Sequence, residues 1–237
     1  MIDAGNVFEA LSEEQVEKFD VFARLLREEN RRINLTSVDG VDQIRARHFC
    51  DSLAGVVVIE KLFETSAKIS LVDIGSGAGF PGLALAIALG HLDVVSVEAT
   101  GKKVAFQQRV IDEANIANAK AVQGRAEELA HDVQCREKFD VVTARAVAPL
   151  GILVELALGF VKCGGYFLAW KGAKGEKEIA EAKAAIETMG GEITEQVKYQ
   201  VGAEESNLCI VCIKKIKPTP KEYPRKFGVI KKRTLGR

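Results

Sequence analysis

The chain lacks any apolar run of membrane-spanning length. Its longest, Gly82 to Gly90, has nine residues, whereas a spanning helix needs about 20. The N-terminus has no basic segment followed by an apolar one, so no secretory leader is expected. Internal repeats and low-complexity linkers are absent too. Five cysteines, Cys50, Cys135, Cys163, Cys209 and Cys212, are an odd number scattered through apolar surroundings. That excludes a complete disulfide framework and points to reduced thiols in a cytoplasmic protein. The only three histidines, His48, His91 and His131, lie in separate segments, so neither a histidine-based catalytic centre nor a metal site is expected.

What is present is an ordinary globular balance, 47% apolar and 28% charged residues in a chain of 237. Such a chain suits one sizeable domain with an appendage and can bury a full core. Bases and acids are equal at 33 each, but their distribution is not even. From Lys214 to Arg237 there are ten Lys or Arg and a single acid, Glu222, while the preceding 213 residues hold 23 bases and 32 acids. A tail of net +9 either solvates a terminus or reaches for a polyanion, and composition alone does not choose between them.

Periodicity divides the chain into three: a helical extension at 1–65, a Rossmann-like α/β domain at 66–216 and a basic tail at 217–237. In the first, Ser12 to Gln15 form a capping-box pattern, followed by Val16, Phe19, Phe22, Ala23 and Leu26 at helical spacing. Two further short helices are predicted from Val41 to Cys50 and from Ser52 to Phe63. In the second, short apolar runs alternate with helical patterns. Strands are predicted at Ile69 to Ile74, Val94 to Val97, Ala119 to Gln123, Phe139 to Ala144 and Gly165 to Trp170, closed by two sequential strands at Ile193 to Val201 and Asn207 to Ile216. This alternation implies a doubly wound, mostly parallel sheet with an antiparallel edge. The tail, with Pro218, Pro220 and Pro224, is predicted to be extended.

The sharpest local signal is the run from Leu71 to Gly82, LVDIGSGAGFPG, between the first strand and the first helix of the alternating region. Glycines there permit a tight turn and close approach of backbone to a ligand. Two registers compete. Gly77, Gly79 and Gly82 fit the dinucleotide fingerprint, which implies an NAD(P)-dependent oxidoreductase. Asp73 followed by Gly75, Gly77 and Gly79 fits the first motif of class I methyltransferases. Glu98, about 20 residues on at a strand end, suits the ribose hydroxyls that both ligands carry. Ala126 and Glu127 follow the third strand, where methyltransferases contact adenine. Arg145 at the carboxyl edge of the fourth can hold a methionine carboxylate, a role favoured over a surface ion pair. His48, Asp51 and Ser52 share a helical face at the active-site mouth or, equally, cap the next helix. Cys209 and Cys212, three apart in a strand, face opposite sides and are assigned to core packing rather than to metal or redox chemistry.

With those residues in place, the chain resembles the bacterial small-subunit ribosomal RNA methyltransferase G family, formerly glucose-inhibited division protein B. The resemblance rests on Asn34-Leu35-Thr36, the run Arg47 to Leu53, Pro81-Gly82 after the glycine loop, Arg125-Ala126-Glu127, Thr143 to Ala146, Leu168 to Gly172 and Tyr223 to Lys226, in order and along nearly the whole length. It implies transfer of a methyl group from S-adenosylmethionine to N7 of one guanine in the decoding-region stem-loop of 16S ribosomal RNA. The RNA would lie within the small subunit or an assembly intermediate, and the chain would act as a monomer. The cofactor set implied is Asp73, Gly75, Gly77, Gly79, Phe80, Glu98, Ala126, Glu127 and Arg145. The RNA-facing set is Arg47, His48, Arg125, Lys171, Arg225, Lys226, Lys231, Lys232 and Arg233, supported by Arg24, Arg27, Arg31, Arg32 and Arg45 in the helical region. No general base is implied. The stretch from Phe227 onward departs from the family in lacking prolines. A small-molecule methyltransferase remains the other alternative, though it leaves the basic tail unexplained.

Overall fold

A computed structural model describes residues 1–38, 40–64, 67–172, 175–202 and 204–236. The boundary expected at 65–66, the polar connection at 203 and the final residue lie outside them.

The chain begins with a two-residue strand, β1 (Ile2–Asp3), and a short helix, α1 (Ala4–Glu9). Helix α2 (Glu13–Ile33) starts at the expected capping box: Ser12 Oγ accepts from Gln15 N, and Gln15 Oε1 accepts from Ser12 N. It stops at Asn34, whose φ of 49° is the left-handed geometry that asparagine tolerates best after glycine. The two helices expected next are one continuous rod: α3 (Val41–Ile44), a π-helical turn (Arg45–Cys50) and α4 (Asp51–Leu62). Asp51 and Ser52 therefore do not cap a separate helix, and Ser52 Oγ instead donates to His48 O at 2.6 Å.

Strand β2 (Ile69–Ile74), α5 (Gly82–Ala88), β3 (Leu92–Glu98), α6 (Gly101–Glu113) and β4 (Ala119–Gln123) follow as expected. A single-turn helix, α7 (Ala126–Leu129), leads to β5 (Phe139–Arg145), α8 (Leu150–Ala157), β6 (Val161–Lys171), α9 (Gly175–Thr188), β7 (Gly191–Val201) and β8 (Glu204–Lys215). The eight strands form one sheet in the order β1-β7-β8-β6-β5-β2-β3-β4. Strand β8 runs antiparallel between β6 and β7. The antiparallel member expected at the sheet's edge is thus an inserted strand, and β7 gains a parallel partner in β1.

Alternation along the central strands separates two cores, as period-2 geometry requires. Val141 and Leu168 pack with the aromatic residues of the helical extension, whereas Val142, Phe167 and Ala169 pack with α8 and α9 on the other face. Cys209 and Cys212 are buried in opposite cores, as their spacing predicts. Phe19, Phe22, Phe49 and Phe80 form one ring cluster with centroid separations of 4.7–5.9 Å. Each such buried ring contributes about 1.5–3 kcal/mol of transfer free energy, and the cluster fixes the helical extension to the glycine loop.

The tail is the main departure from expectation. Instead of running free, it packs along the second core and ends in a helix, α10 (Phe227–Lys232), with Ile230 fully buried. Arg136 donates to the carbonyls of Thr219, Pro220 and Tyr223. The buried Lys215 meets Glu137 and Thr219. Buried backbone carbonyls demand donors, and here basic side chains supply them.

Candidate cofactor pocket and substrate face

A cavity of about 460 Å³ opens at the carboxyl edge of the sheet, where ligands bind in open α/β folds and within the size range of small-ligand sites. One wall is the glycine loop, Gly75 to Ala78, where Gly75 and Gly77 have φ of 66° and 59°. A Cβ on Gly77 would meet nothing within 4 Å, so that glycine keeps its space open for a bound molecule.

Almost every amide of this loop is already bonded within the protein. Gly75 N and Ser76 N donate to Val97 O, and Gly79 N and Phe80 N to Ser76 O. Gly77 N donates to Glu98 Oε2 at 3.1 Å, and Gly82 N to Asp73 Oδ2 at 2.9 Å. A pyrophosphate needs free amides at a helix N-terminus. This loop has committed them, with a buried carboxylate already at the start of α5, so the oxidoreductase register is not supported.

Asp73 is fully buried and does not line the cavity, a correction to its expected direct contact. Its oxygens accept from Gly82 N and Thr143 Oγ1, which tie β2, the loop and β5 together. Burial raises its pKa to about 7, against the opposing pull of those two hydrogen bonds. Gly79 is also displaced from the cavity. A Cβ there would lie 2.6 Å from Leu83, so its φ of 98° serves the turn itself.

Glu98 ends β3 and lines the cavity, with one oxygen accepting from Gly77 N and the other from Thr100 N. Each carboxylate oxygen has a further lone pair, which suits a ribose diol. Gly124, Arg125, Ala126 and Glu127 close the adjoining end of the cavity. Gln107, which the sequence did not single out, secures the loop from below by donating to Ser76 Oγ and Gly77 O, both at 2.8 Å.

The opposite wall comes from the helical extension. Phe80 stacks with Phe22 and with His48, each with ring centroids 4.9 Å apart. Arg145 lines the cavity, but its guanidinium is turned to Asp51 Oδ2 at 2.5 Å and to the carbonyls of Arg47 and His48 at 3.3 Å. The π-helical turn aims those carbonyls, a use in keeping with where such turns occur. Asp51 also accepts from Tyr199 OH at 2.5 Å, and its carbonyl from Trp170 Nε1 at 2.9 Å. Burial beside that carboxylate pushes the Tyr199 phenol well up.

His48 sits between Arg145 Nη2, 3.3 Å from Nδ1, and Thr36 Oγ1, 2.7 Å from Nε2. A guanidinium only donates, so Nδ1 accepts and the proton is assigned to Nε2. Burial, then the Arg145 charge, lowers the His48 pKa to about 4, which leaves a neutral imidazole at neutral pH.

The RNA-facing set divides. Arg47, Arg125, Lys226, Lys231, Lys232 and Arg233 are exposed, and His48 faces the cavity. Lys171 is not available: buried, it donates to Ala148 O at 2.9 Å and pairs with Glu178 at 2.8 Å. Arg225 is likewise committed, bidentately, to the fully buried Glu155 at 2.8 and 2.7 Å. Among the supporting arginines, Arg24 pairs with Glu28 and Glu113, and Arg32 with Glu29. The sequence also missed Phe227, which reaches the cavity from α10, and Lys103. Nothing in local spacing signals that a residue 129 positions beyond Glu98 shares its pocket.

Strand order, the inserted antiparallel β8 and this cavity define a class I S-adenosylmethionine-dependent methyltransferase. A dinucleotide-binding sheet has six parallel strands in the order 3-2-1-4-5-6, without such an insertion. Solved structures share the fold. A variant of MtNAS in complex with S-adenosylmethionine matches with a TM-score of 0.55 at 15% identity, over 86% of this chain and 76% of that one. The antibiotic-resistance methyltransferase Kmr matches with a TM-score of 0.50 at 14% identity, over 68% of this chain and 93% of that one.

Sequence relatives are far nearer. The family described as rRNA small subunit methyltransferase G matches residues 15–209. A curated relative of that name from Brevibacillus brevis is 42% identical over 226 residues, 95% of this chain and 93% of its own length. Another from Lysinibacillus sphaericus is 40% identical over 219 residues, 92% of this chain and 90% of its own. The chain belongs to the rRNA small subunit methyltransferase G family.

Proposed function

We propose that the protein methylates N7 of one guanine in the decoding-region stem-loop of 16S ribosomal RNA, using S-adenosylmethionine. The observation that carries this reading is family membership across nearly the whole chain. The residues fit the cofactor: Glu98 for the ribose, Gly124 to Glu127 for the adenine, and the open face of Gly77 for the chain between ribose and sulfur. When bound, it supplies an electrophilic methyl group on a positively charged sulfur.

Guanine N7 has no proton and offers a lone pair in the major groove. No base has to remove a proton before attack, and the protein's task is alignment. Positive charge leaves the sulfur and appears on the guanine, so a cationic wall would oppose the reaction. His48 is neutral and the charge of Arg145 is met by Asp51, which removes that penalty. The exposed Lys226, Lys231, Lys232 and Arg233 supply sequence-independent attraction to phosphate. The substrate is the small subunit or an assembly intermediate, with the chain acting as a monomer in the cytoplasm.

The test is transfer of radiolabelled methyl from S-adenosylmethionine to small subunits from cells lacking this gene. Label in the 16S RNA is the expected result. Absence of label from subunits and free RNA, with cofactor binding intact, would sink the ribosomal assignment and favour a small-molecule substrate.

A further inference from the structure

The tail does two things at once. Its helix α10 presents Lys231 and Lys232 to solvent, with Lys226 just before and Arg233 just after. None of the four has an acidic partner among the described residues. The same helix begins with Phe227, which lines the cavity.

The path of the chain indicates which end of the cavity that ring reaches. Pro224 O lies 2.8 Å from His131 Nε2, just past α7, and Arg225 grips Glu155 of α8. Phe227 therefore enters from the side of α7, where Ala126 and Glu127 bound the pocket and where both Ala126 and Phe227 pack against the second core. Arg225 ties the start of the segment to Glu155 and to Arg233 O at 2.9 Å, while Phe227 between these contacts is only half-buried and takes its position from α10.

We infer that Phe227 is a cofactor-contacting residue covering the adenine end of the pocket, and that RNA and cofactor binding are coupled through α10. This rests on the cofactor reading given above. Phosphates gathered by the four cations hold α10 in place, which orders the ring over the cofactor. Coupling between two binding sites is reciprocal, so cofactor also favours RNA.

Equilibrium dialysis of radiolabelled S-adenosylhomocysteine, which shares the adenosyl group and transfers no methyl, tests the inference. Wild-type protein that fails to bind would overturn the cofactor reading itself. If it binds, Phe227→Ala is expected to weaken affinity about tenfold, the scale of one aromatic–base stack. Phe227→Leu, which keeps the apolar bulk without the flat ring, is expected to weaken it severalfold at unchanged Tm. It decides the matter should the alanine variant not fold. Addition of small subunits should tighten binding to the wild type, and less so to Phe227→Leu. Equal affinities for wild type and Phe227→Leu would overturn the contact, and no tightening by subunits would overturn the coupling.

Discussion

The two walls of the cavity are built in different ways. One is made by the sheet: glycine-loop backbone, the strand-end Glu98 and the turn from Gly124 to Glu127. Its hydrogen bonds combine backbone pairs with the Asp73, Glu98 and Gln107 side chains, and its geometry follows from where parallel strands end. The other is made from distant segments, Thr36 and His48 from the helical extension and Arg145 from β5. It is braced by Asp51, which joins Tyr199 across 148 positions of sequence. A wall of the first kind serves a cofactor common to many enzymes. A wall of the second kind can be varied by replacing peripheral segments, and it is where recognition of one substrate belongs.

Substitutions that strike one wall and spare the other sharpen this contrast. Gly77→Val is expected to have the largest effect. It puts a branched side chain into the open cofactor space at a left-handed φ that valine avoids. Cofactor affinity in calorimetry should fall by about a hundredfold or more, the scale of a strained and filled site, while RNA retention on filters persists. Arg225→Ala strikes the far side. It strands the buried Glu155 charge and should lower unfolding free energy by about 3 kcal/mol, read from urea denaturation. That loss marks Arg225 as a brace. A stability unchanged within error would return it to the RNA-facing set.

The His48 effect is smaller and depends on pH. Its folded pKa of about 4 lies below the unfolded value near 6.5, so the unfolded chain binds the proton first. The stability contribution is whole above pH 6.5 and is lost as pH falls through about 4, reaching about 2 kcal/mol of loss by pH 5. His48→Gln should abolish that part of the pH dependence in thermal unfolding, and an unchanged profile would contradict the neutral-imidazole assignment. Asp73 slopes the other way. Its folded pKa near 7 lies above the usual carboxylate value, so its contribution falls as pH rises toward 7. The smallest stability effect belongs to Lys231→Ala with Lys232→Ala, within about 0.5 kcal/mol. Their loss should weaken RNA binding and lower its salt dependence by about two charges; a large fall in Tm would instead mark them as part of the core.

The same contrast explains what was legible in the sequence. Strand β4 has the bounds that its apolar run predicts, and the Ser12 capping box forms as written, because both are local. Glu98 falls in the pocket because its spacing from the glycine loop is a property of one βαβ unit. Lys171 and Arg225 were misplaced because a basic side chain does not announce its partner: Glu178 and Glu155 come from other elements. Phe227 and Ile230, three positions apart ahead of Lys231, were the sign that the tail has a buried face, but two apolar positions are too few to establish a helical period. Thr36 and Phe227 became pocket residues only through packing.

The central claim is attack by guanine N7 without a general base, and the chemistry of the methylated position tests it most directly. Modified 16S RNA treated with borohydride and aniline should be cleaved once, at a single guanine of the decoding-region loop, because N7 methylation sensitises that nucleotide to strand scission. Methyl incorporation that resists this cleavage, as on an exocyclic amine or a ribose hydroxyl, would contradict the account and require a proton acceptor in the cavity.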